Sequence, residues 1–229
     1  MNKGKLYGVG VGPGDPELMT LKAVRAIERC PCVATPETAG GKRLAFDIAS
    51  GAVDMTGKEI LPLRFLMTRD EAAQARCHEE LADAVAARLD AGRDVALLNL
   101  GDVSIYSTFA YLMDILTGRG YEAVMIPGVP SFCAVAAALG TGLTEMNEPL
   151  HIFPAGGMEL SEVLALRGSK VLMKTGKSMP EVRRALREAG LADKTMLVQN
   201  CGLPDEKVCR SLDDASDDIS YFTTMIIRG

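Results

Sequence analysis

The sequence predicts an α/β protein with largely parallel strands, and two observations support this prediction. Short β-rich runs alternate with longer helical patterns through most of the 229 residues, as in strands joined by crossover helices. Residues 95–100 are apolar on both faces, which is typical of a central parallel strand covered on each side. Residues 207–212 and 221–227 read as strands with no helix between them, so the second of two α/β halves should end in an antiparallel pair.

The first elements follow from local signals. Residues 6–11 read as a buried strand and residues 12–14 as a turn. Asp15 is a predicted N-cap, and Pro16 stands at a favourable first helical position. Thr20 is a second candidate cap if the chain makes one turn before the main helix, so the start of that helix is left open here.

Later elements continue the alternation. Apolar residues recur every four positions from Cys77 to Leu89 and predict an amphipathic helix that ends near Gly92. A loop at 101–106 and a helix at 108–116 follow, and the glycines at 118 and 120 place the boundary between predicted domains 1–118 and 119–229. The other predicted elements are strands at 123–126, 150–153, 171–173 and 196–199, and helices at 132–139, near 160–166 and at 180–189.

Composition and charge exclude several classes of function. With 48% hydrophobic and 24% charged residues the chain is an ordinary globular one. Its formal charge of −5 gives no global field that would collect nucleic acid or acidic lipid. Six cysteines with no CxxC, and only two histidines, fit neither a disulfide scaffold nor a zinc site, so we expect reduced thiols and no metal. No secretory signal core and no apolar run of about 20 residues is present, so we expect a soluble, cytoplasmic protein.

A glycine-rich run at residues 8–14 lies at the first strand-to-helix junction. Glycines there let a ligand approach backbone amides, and a helix N-terminus favours a carboxylate or phosphate. The run fits no dinucleotide fingerprint, because Pro13 or Asp15 stands where the third glycine is needed. No Lys-Ser/Thr pair follows it, which excludes a nucleotide phosphate loop. The alternative, that these glycines serve only a tight turn and close strand packing, stays open.

Three further turns with ligand-binding residue types follow strands, at 101–108, 127–132 and 199–204. Asp102 can accept hydrogen bonds from ribose hydroxyls, or pair with an ammonium group, at the carboxyl end of a central strand. Ser131 is either an N-cap or a ligand contact. Cys201 as a nucleophile has no histidine in a recognisable arrangement with it, and His78 and His151 suit surface or core roles better than metal binding.

No nucleophile elbow, metalloprotease helix or paired-carboxylate signature is present. Ligand-type turns without an evident nucleophile suggest an enzyme that binds and orients two reactants, as group transfer from an activated donor allows. The residues themselves identify no catalytic group.

Residues 6–22, 101–108, 127–132 and 221–227, in this order and spacing, resemble the tetrapyrrole methylase family across essentially the whole chain. Residues 102–109 and 127–134 are most similar to the enzymes that methylate carbon 20 of precorrin-2 or cobalt-factor II in cobalamin biosynthesis. The resemblance implies two α/β domains of the tetrapyrrole methylase type with S-adenosylmethionine in a cleft between them, S-adenosylhomocysteine as product, and a homodimer. One departure is Val103, where many relatives have proline, and the lost constraint on φ should relax this loop.

The resemblance also implies site residues. The substrate carries acetate and propionate carboxylates, so basic side chains should form a local rim on an otherwise acidic protein. The substrate residues so expected are Lys42, Arg43 and Arg64. The cofactor residues implied by motif are Pro13, Gly101, Asp102, Ile105, Pro130, Ser131, Lys174, Cys201 and Thr223.

Three other functions stay open at this point. A methylase for another ring position of a precorrin is separated from the carbon-20 enzyme only weakly by the four motifs. A family member that methylates a protein side chain is a second alternative. A cofactor-binding module without turnover is the third.

Overall fold

The computed structural model describes residues 3–154 and 159–229, and the chain divides into two compact units, Met1–Pro130 and Ser131–Gly229. The predicted division after residue 118 falls earlier than this one. The difference arises because the strand Ala123–Ile126 pairs in parallel with the first strand, Leu6–Gly10, and so belongs to the first unit. That the two units are separate domains stays a prediction.

The described part of the first unit contains one five-stranded sheet. Its strands are β1 Leu6–Gly10, β2 Cys32–Pro36, β3 Glu59–Leu63, β4 Val95–Asn99 and β5 Ala123–Ile126. They lie in the order β3-β2-β4-β1-β5, and all of these neighbours are parallel. Every residue of β4 is buried, which confirms the prediction of a central strand. All five strands therefore end at the same edge of the sheet.

Helices cover both faces of this sheet. They are α1 Leu21–Arg29, α2 Leu44–Ser50, α3 Glu71–Asp90 and α4 Phe109–Gly118. Residues of β4 alternate between two core clusters, with Ala96 and Leu98 against α1 and α2, and Val95 and Leu97 against α3 and α4. The sequence yielded no individual prediction for β2, α2 or β3.

The start of the first helix is settled by two caps in succession. Asp15 accepts a hydrogen bond from the Glu17 amide at 2.9 Å and begins a short 3-10 turn, Pro16–Leu18. Thr20 then accepts from the Ala23 amide at 3.1 Å and begins α1. Both candidate caps are therefore used, each for its own turn.

The second unit has a mixed sheet. Its strands are β6 Leu150–Pro154, β7 Ser169–Met173, β8 Thr195–Gln199, β9 Lys207–Cys209 and β10 Thr223–Ile227. Its helices are α5 Ser131–Leu139, α6 Leu160–Ala165 and α7 Met179–Glu188. The strand order in the described residues is β6-β7-β10-β8-β9. The expected pairing of the last two strands is corrected: both are antiparallel to β8, which lies between them.

Two observations concern the chain as a whole. All six cysteines are free thiols. Within residues 3–154 and 159–229, no helix has the length and apolar character needed to cross a bilayer.

Candidate functional site at the carboxyl edges of the strands

The loops after β1 and β4 are joined directly by their backbones. Gly12 and Gly101 exchange two hydrogen bonds, from the Gly12 amide at 3.2 Å and from the Gly101 amide at 2.7 Å. Both glycines have positive φ, 78° and 71°, which an L side chain rarely adopts. The Val11 amide donates to the Asn99 carbonyl at 2.9 Å just before this bridge. The two motifs that the sequence placed at separate strand ends therefore form one backbone structure.

Close packing explains two of the glycines in the first run. A Cβ on Gly8 would stand 2.4 Å from the Phe109 ring, and a Cβ on Gly10 would stand 2.6 Å from the Gly128 amide nitrogen. A Cβ on Gly128 would in turn stand 2.2 Å from the Gly101 carbonyl oxygen. Gly8 and Gly10 therefore serve packing, which was the structural alternative, and Gly12 serves the left-handed turn.

Asp102 links the loop after β4 to the loop after β5. Its Oδ1 accepts from the Ser104 amide at 2.8 Å and from the Ser104 hydroxyl, and its Oδ2 accepts from the Gly128 amide at 2.8 Å. The side chain is buried, with 8% of the residue exposed. Burial by itself raises the pKa of Asp102, but the hydrogen bonds from Ser104 and Gly128 outweigh it and hold the pKa below its usual value. The group is therefore a carboxylate at neutral pH.

Asn99 and Val103 hold the rest of this loop. The buried Asn99 amide donates to the carbonyls of Leu100 at 2.9 Å and Asp102 at 3.0 Å, and its Oδ1 accepts from the Ser107 hydroxyl at 2.7 Å. Val103 is 2% exposed and packs in the core cluster of α3 and α4. The expected relaxation at Val103 is thus opposed by burial of its side chain and by the hydrogen bonds of Asn99.

The other cofactor residues expected in this unit lie in the same loops. Pro13 is buried beside the Gly12 bridge, and Ile105 and Pro130 are partly buried in the loops that follow β4 and β5. Ser107, rather than Thr108, binds the first amide of α4, since its hydroxyl accepts from the Phe109 amide at 3.1 Å.

Ser131 begins α5, in the second unit. Its hydroxyl oxygen is buried, and among the described residues it has no hydrogen-bond partner. A side-chain N-cap would need such a bond, so the structure does not support the N-cap interpretation of Ser131.

The three remaining residues expected to bind the cofactor lie at one edge of the second sheet. Lys174 follows β7 with a φ of 62°, and its amide donates to the Thr223 carbonyl at 3.1 Å. Thr223 begins β10, and its hydroxyl donates to the Ser220 carbonyl at 2.6 Å. Cys201 follows β8, whose last residue, Gln199, is paired with Thr223. Strand pairing thus brings these three residues, which are far apart in the sequence, to the same edge of the sheet.

The environment of Cys201 favours the protonated thiol over the nucleophilic thiolate. It is buried, and desolvation, together with the charge of Glu206 and its hydrogen bond, raises the pKa of Cys201 to about 12. Thiolate is the reactive form of cysteine. This environment agrees with the sequence, in which no histidine stands in a recognisable arrangement with Cys201.

The histidines have structural environments. His78 is buried on α3, with its ring stacked on Tyr111 at 4.5 Å between centroids, and burial lowers the pKa of His78. His151 lies on β6, with its Nε2 3.0 Å from the Arg167 carbonyl oxygen.

The basic residues expected to bind substrate lie at the β2–β3 end of the first sheet. Arg64 follows β3 and binds Glu37, with its Nε 2.7 Å from Oε1. The Nε of Arg43 is 4.0 Å from Oε2 of the same glutamate. Lys42, which directly precedes Arg43, is exposed. The structure therefore brings Arg43 and Arg64 together around one carboxylate.

Residues 5–215 match the model of the family described as Tetrapyrrole (Corrin/Porphyrin) Methylases. The chain belongs to the tetrapyrrole methylase family. This confirms the resemblance stated on the four motifs, and it accords with two α/β units whose glycine run is not of the dinucleotide-binding type.

Two relatives and one solved structure illustrate the similarity of this tetrapyrrole methylase to known proteins. The Cobalamin biosynthesis protein CobIJ of Mycobacterium tuberculosis is 35% identical over 99% of this chain and 46% of that protein, so the chain spans about half the length of this relative. The Precorrin-2 C(20)-methyltransferase of a Sinorhizobium species is 31% identical over 99% of this chain and 96% of the relative. The uroporphyrin-III C-methyl transferase of Thermus thermophilus, solved with S-adenosylhomocysteine, has a TM-score of 0.70 at 20% identity, covering 97% of this chain and 96% of that one.

Sequence reasoning on this tetrapyrrole methylase missed Glu37 and Asn99. It included Gly128 in the turn at 127–132 but not the hydrogen bond from the Gly128 amide to Asp102. Asn99 ends the central strand two positions before Gly101, and this position at a strand's carboxyl end was a usable signal. Glu37 had no such signal, because its role depends on the pairing of two strands that were not individually predicted.

Proposed function

We propose that this chain transfers a methyl group from S-adenosylmethionine to carbon 20 of precorrin-2 or its cobalt-containing counterpart in cobalamin biosynthesis. The observation that carries the proposal is the 31% identity, over nearly the full length of both chains, to a relative named Precorrin-2 C(20)-methyltransferase. A Salmonella typhimurium relative named Cobalt-precorrin-2 C(20)-methyltransferase, equally 31% identical over 98% of this chain, supports the same ring position.

The residues present fit the proposed cofactor. A carboxylate offers about four acceptor positions, and Asp102 uses three of them within the first unit, two on Oδ1 and one on Oδ2. The remaining position on Oδ2 suits a ribose hydroxyl. The Ser131 hydroxyl, which has no hydrogen-bond partner in the part of the chain that the structure describes, offers a further hydrogen-bonding group. The residues proposed to hold the cofactor are Pro13, Gly101, Asp102, Ile105, Pro130, Ser131, Lys174, Cys201 and Thr223.

S-adenosylmethionine, when bound, supplies a methyl group already activated on a sulfonium and leaves as S-adenosylhomocysteine. The chain's own task is then mainly to hold the reactants in place, which can lower a barrier by about 7–11 kcal/mol. Asp102, which accepts three hydrogen bonds within the first unit, and Cys201, with a pKa of about 12, are binding and packing groups in this scheme. The base that removes the ring proton is not assigned to either.

For the substrate we propose contacts to its acetate and propionate groups from Lys42, Arg43 and Arg64. Arginine forms paired hydrogen bonds with carboxylates, and it remains charged at any physiological pH. We also propose that the protein acts in the cytoplasm as a homodimer. Six free thiols accord with a reducing compartment, and light scattering of the purified chain would test the dimer.

Calorimetric titration with S-adenosylhomocysteine, followed by mass and NMR analysis of the products from precorrin-2 and from cobalt-factor II, tests the function. We expect one bound S-adenosylhomocysteine per chain and a product heavier by one methyl group at carbon 20. Binding without methylation would favour the non-enzymatic module, and methylation at another carbon would favour another ring position. Absence of binding would refute the proposed cofactor.

A further inference from the structure

Glu37 lies at the carboxyl end of β2, next to the edge strand β3. It follows β2, and its amide donates to the Leu63 carbonyl at 2.8 Å, so that it stands beside the end of β3. In the strand order β3-β2-β4-β1-β5, the ends of β3 and β2 lie to one side of the ends of β4 and β1. The loops of Asp102 and Gly12 follow β4 and β1. β2 pairs with β4 as far as Ala34 and Leu97, so Glu37 and Asp102 follow the carboxyl ends of two neighbouring strands.

The chain around Glu37 directs two guanidinium groups to it. The turn at residues 38–42 is closed by hydrogen bonds between Thr38 and Lys42, with the Thr38 amide donating to the Lys42 carbonyl at 3.0 Å and the Lys42 amide donating to the Thr38 hydroxyl at 3.1 Å. This turn returns the chain to Arg43, which precedes α2 and whose guanidinium also lies over the Phe46 ring, 4.9 Å from its centroid. Arg64 reaches the same glutamate with two nitrogens, at 2.7 Å and 2.6 Å.

Stability alone does not account for this arrangement. The Glu37 side chain is only 9% exposed, whereas those of Arg43 and Arg64 are 35% and 70% exposed. Ion pairs with an exposed partner contribute about 0–1 kcal/mol, and the largely buried carboxylate loses hydration. Two positive groups around one negative group leave a net positive charge, and the arginines keep exposed surface that faces solvent.

We propose that Glu37 is a positioning residue, which fixes Arg43 and Arg64 as a paired receptor for one carboxylate side chain of the tetrapyrrole. The inference rests on the proposed function and adds a residue outside every motif of the sequence. The substrate carboxylate binds the guanidinium faces that Glu37 leaves free, over β2 and β3, while the cofactor residues of this unit lie over β4, β1 and β5.

The variant Glu37→Gln separates positioning from simple neutralisation. It keeps the side chain's size but removes a negative charge next to two arginines. If Glu37 only neutralised them, an anionic substrate would bind more tightly. If Glu37 positions them, uroporphyrin III, a stable tetrapyrrole with the same kinds of carboxylate, should bind roughly 10-fold more weakly, and the KM for the methyl acceptor should rise with little change in kcat. Tighter or unchanged binding would overturn the proposal.

Arg64→Ala provides a second test that does not disturb the core, since this arginine is largely exposed. We expect a similar loss of uroporphyrin III affinity, and only a small further loss when Arg64→Ala is added to Glu37→Gln, because the two residues act as one unit. Fully additive losses would contradict the positioning role. Arg119→Ala is the matched control, because Arg119 also pairs with two carboxylates but lies at the end of α4, before β5 begins.

Titration of every variant with S-adenosylhomocysteine separates the two levels of proposal. We expect unchanged cofactor affinity in Glu37→Gln and Arg64→Ala, which also verifies their folding. A wild-type chain that binds no S-adenosylhomocysteine refutes the proposed cofactor. A wild-type chain that methylates precorrin-2, together with a Glu37→Gln variant of equal KM, refutes the role of Glu37 alone.

Discussion

At the scale of single residues, Asp102 combines two duties that the sequence could not separate. The motif marked it as a ligand contact, whereas the structure shows a buried carboxylate that joins the loops after β4 and β5 through Ser104 and Gly128. Removing it therefore changes the shape of the site as well as one ligand contact. Any variant of Asp102 therefore requires a measurement of unfolding free energy as well as a measurement of cofactor affinity.

Asp102→Asn should lower both stability and cofactor affinity. Whichever way the amide is turned, its NH2 group faces a backbone N–H, of Ser104 or of Gly128, so one buried donor loses its acceptor. We expect a loss on the order of 1–3 kcal/mol in the free energy of unfolding, measured by urea denaturation, and weaker S-adenosylhomocysteine binding by calorimetry. Ser104→Ala is the control, because it removes the hydroxyl but keeps both backbone donors. Wild-type stability in Asp102→Asn would show that these hydrogen bonds contribute nothing.

The same group predicts a pH dependence. Because hydrogen bonds lower the pKa of folded Asp102, its charged form adds stability above the unfolded pKa of about 3.9, and this stability is lost as the pH falls through the folded value. The difference in unfolding free energy between wild type and Asp102→Asn should therefore be constant near neutral pH and shrink below about pH 4. A difference that persists unchanged to pH 3 would contradict the lowered pKa.

At the scale of elements, the predictable parts of this chain are those with a local signal. The apolar run of β4, the caps Asp15 and Thr20, and the period of α3 were sufficient to find those elements. β2 and β3 each contain a proline, and β3 lies at the sheet edge, where Pro62 is tolerated. α2 has seven residues and no side-chain cap. Because their stability comes from tertiary packing, sequence periodicity could not reveal them.

In the candidate site, too, some features could be predicted from the sequence and others could not. Motif residues at strand ends could be named from the sequence, because parallel strands end at one edge. The Gly12–Gly101 bridge and the crowding of Gly10 against Gly128 could not, since each depends on the register between strands. Glu37 is the clearest case, because its two arginine partners are six and 27 positions away.

The conformation of the loop between β4 and α4 should depend on the hydrogen bonds of Asn99, because residue 103 is valine and the loop contains no proline. Asn99→Asp keeps the shape but replaces a donor to two carbonyls by an oxygen that repels them. We expect a loss of about 2–3 kcal/mol in unfolding free energy, with weaker S-adenosylhomocysteine binding. Ser107→Ala, which leaves both Asn99 donations intact, should lose less in both measurements. Equal losses in the two variants would assign the effect to the Ser107 hydrogen bond instead.

The edge of the second sheet offers a matched pair of buried threonines. Among the described residues, the Thr175 hydroxyl has no hydrogen-bond partner, whereas that of Thr223 donates to Ser220 at 2.6 Å. Both residues are fully buried. Thr175→Val should therefore leave the unfolding free energy unchanged or raise it, and Thr223→Val should lower it by about 1–2 kcal/mol, as measured by urea denaturation. A comparable loss in Thr175→Val would reveal a partner for that hydroxyl, such as a bound water.

At the scale of the whole molecule, the charge of −5 and the cluster of Arg43, Glu37 and Arg64 act on a polycarboxylate substrate over different distances. The total charge repels the substrate during approach, over a Debye length of about 10 Å at 0.1 M salt, whereas the cluster attracts it only near contact. Added salt should therefore affect association and dissociation in distinguishable ways.

Raising the salt concentration from about 20 to 200 mM should speed the association of uroporphyrin III, because it screens the long-range repulsion. It should also speed dissociation, because it weakens the arginine–carboxylate contacts. Stopped-flow recording of the porphyrin's own fluorescence measures both rates, and the chain contains no tryptophan whose emission would interfere. Association of S-adenosylhomocysteine, which has little net charge, is the control and should change little. If uroporphyrin III associates more slowly at high salt, the local field of the arginines dominates the approach, and the acidic balance of the chain has no influence on substrate capture.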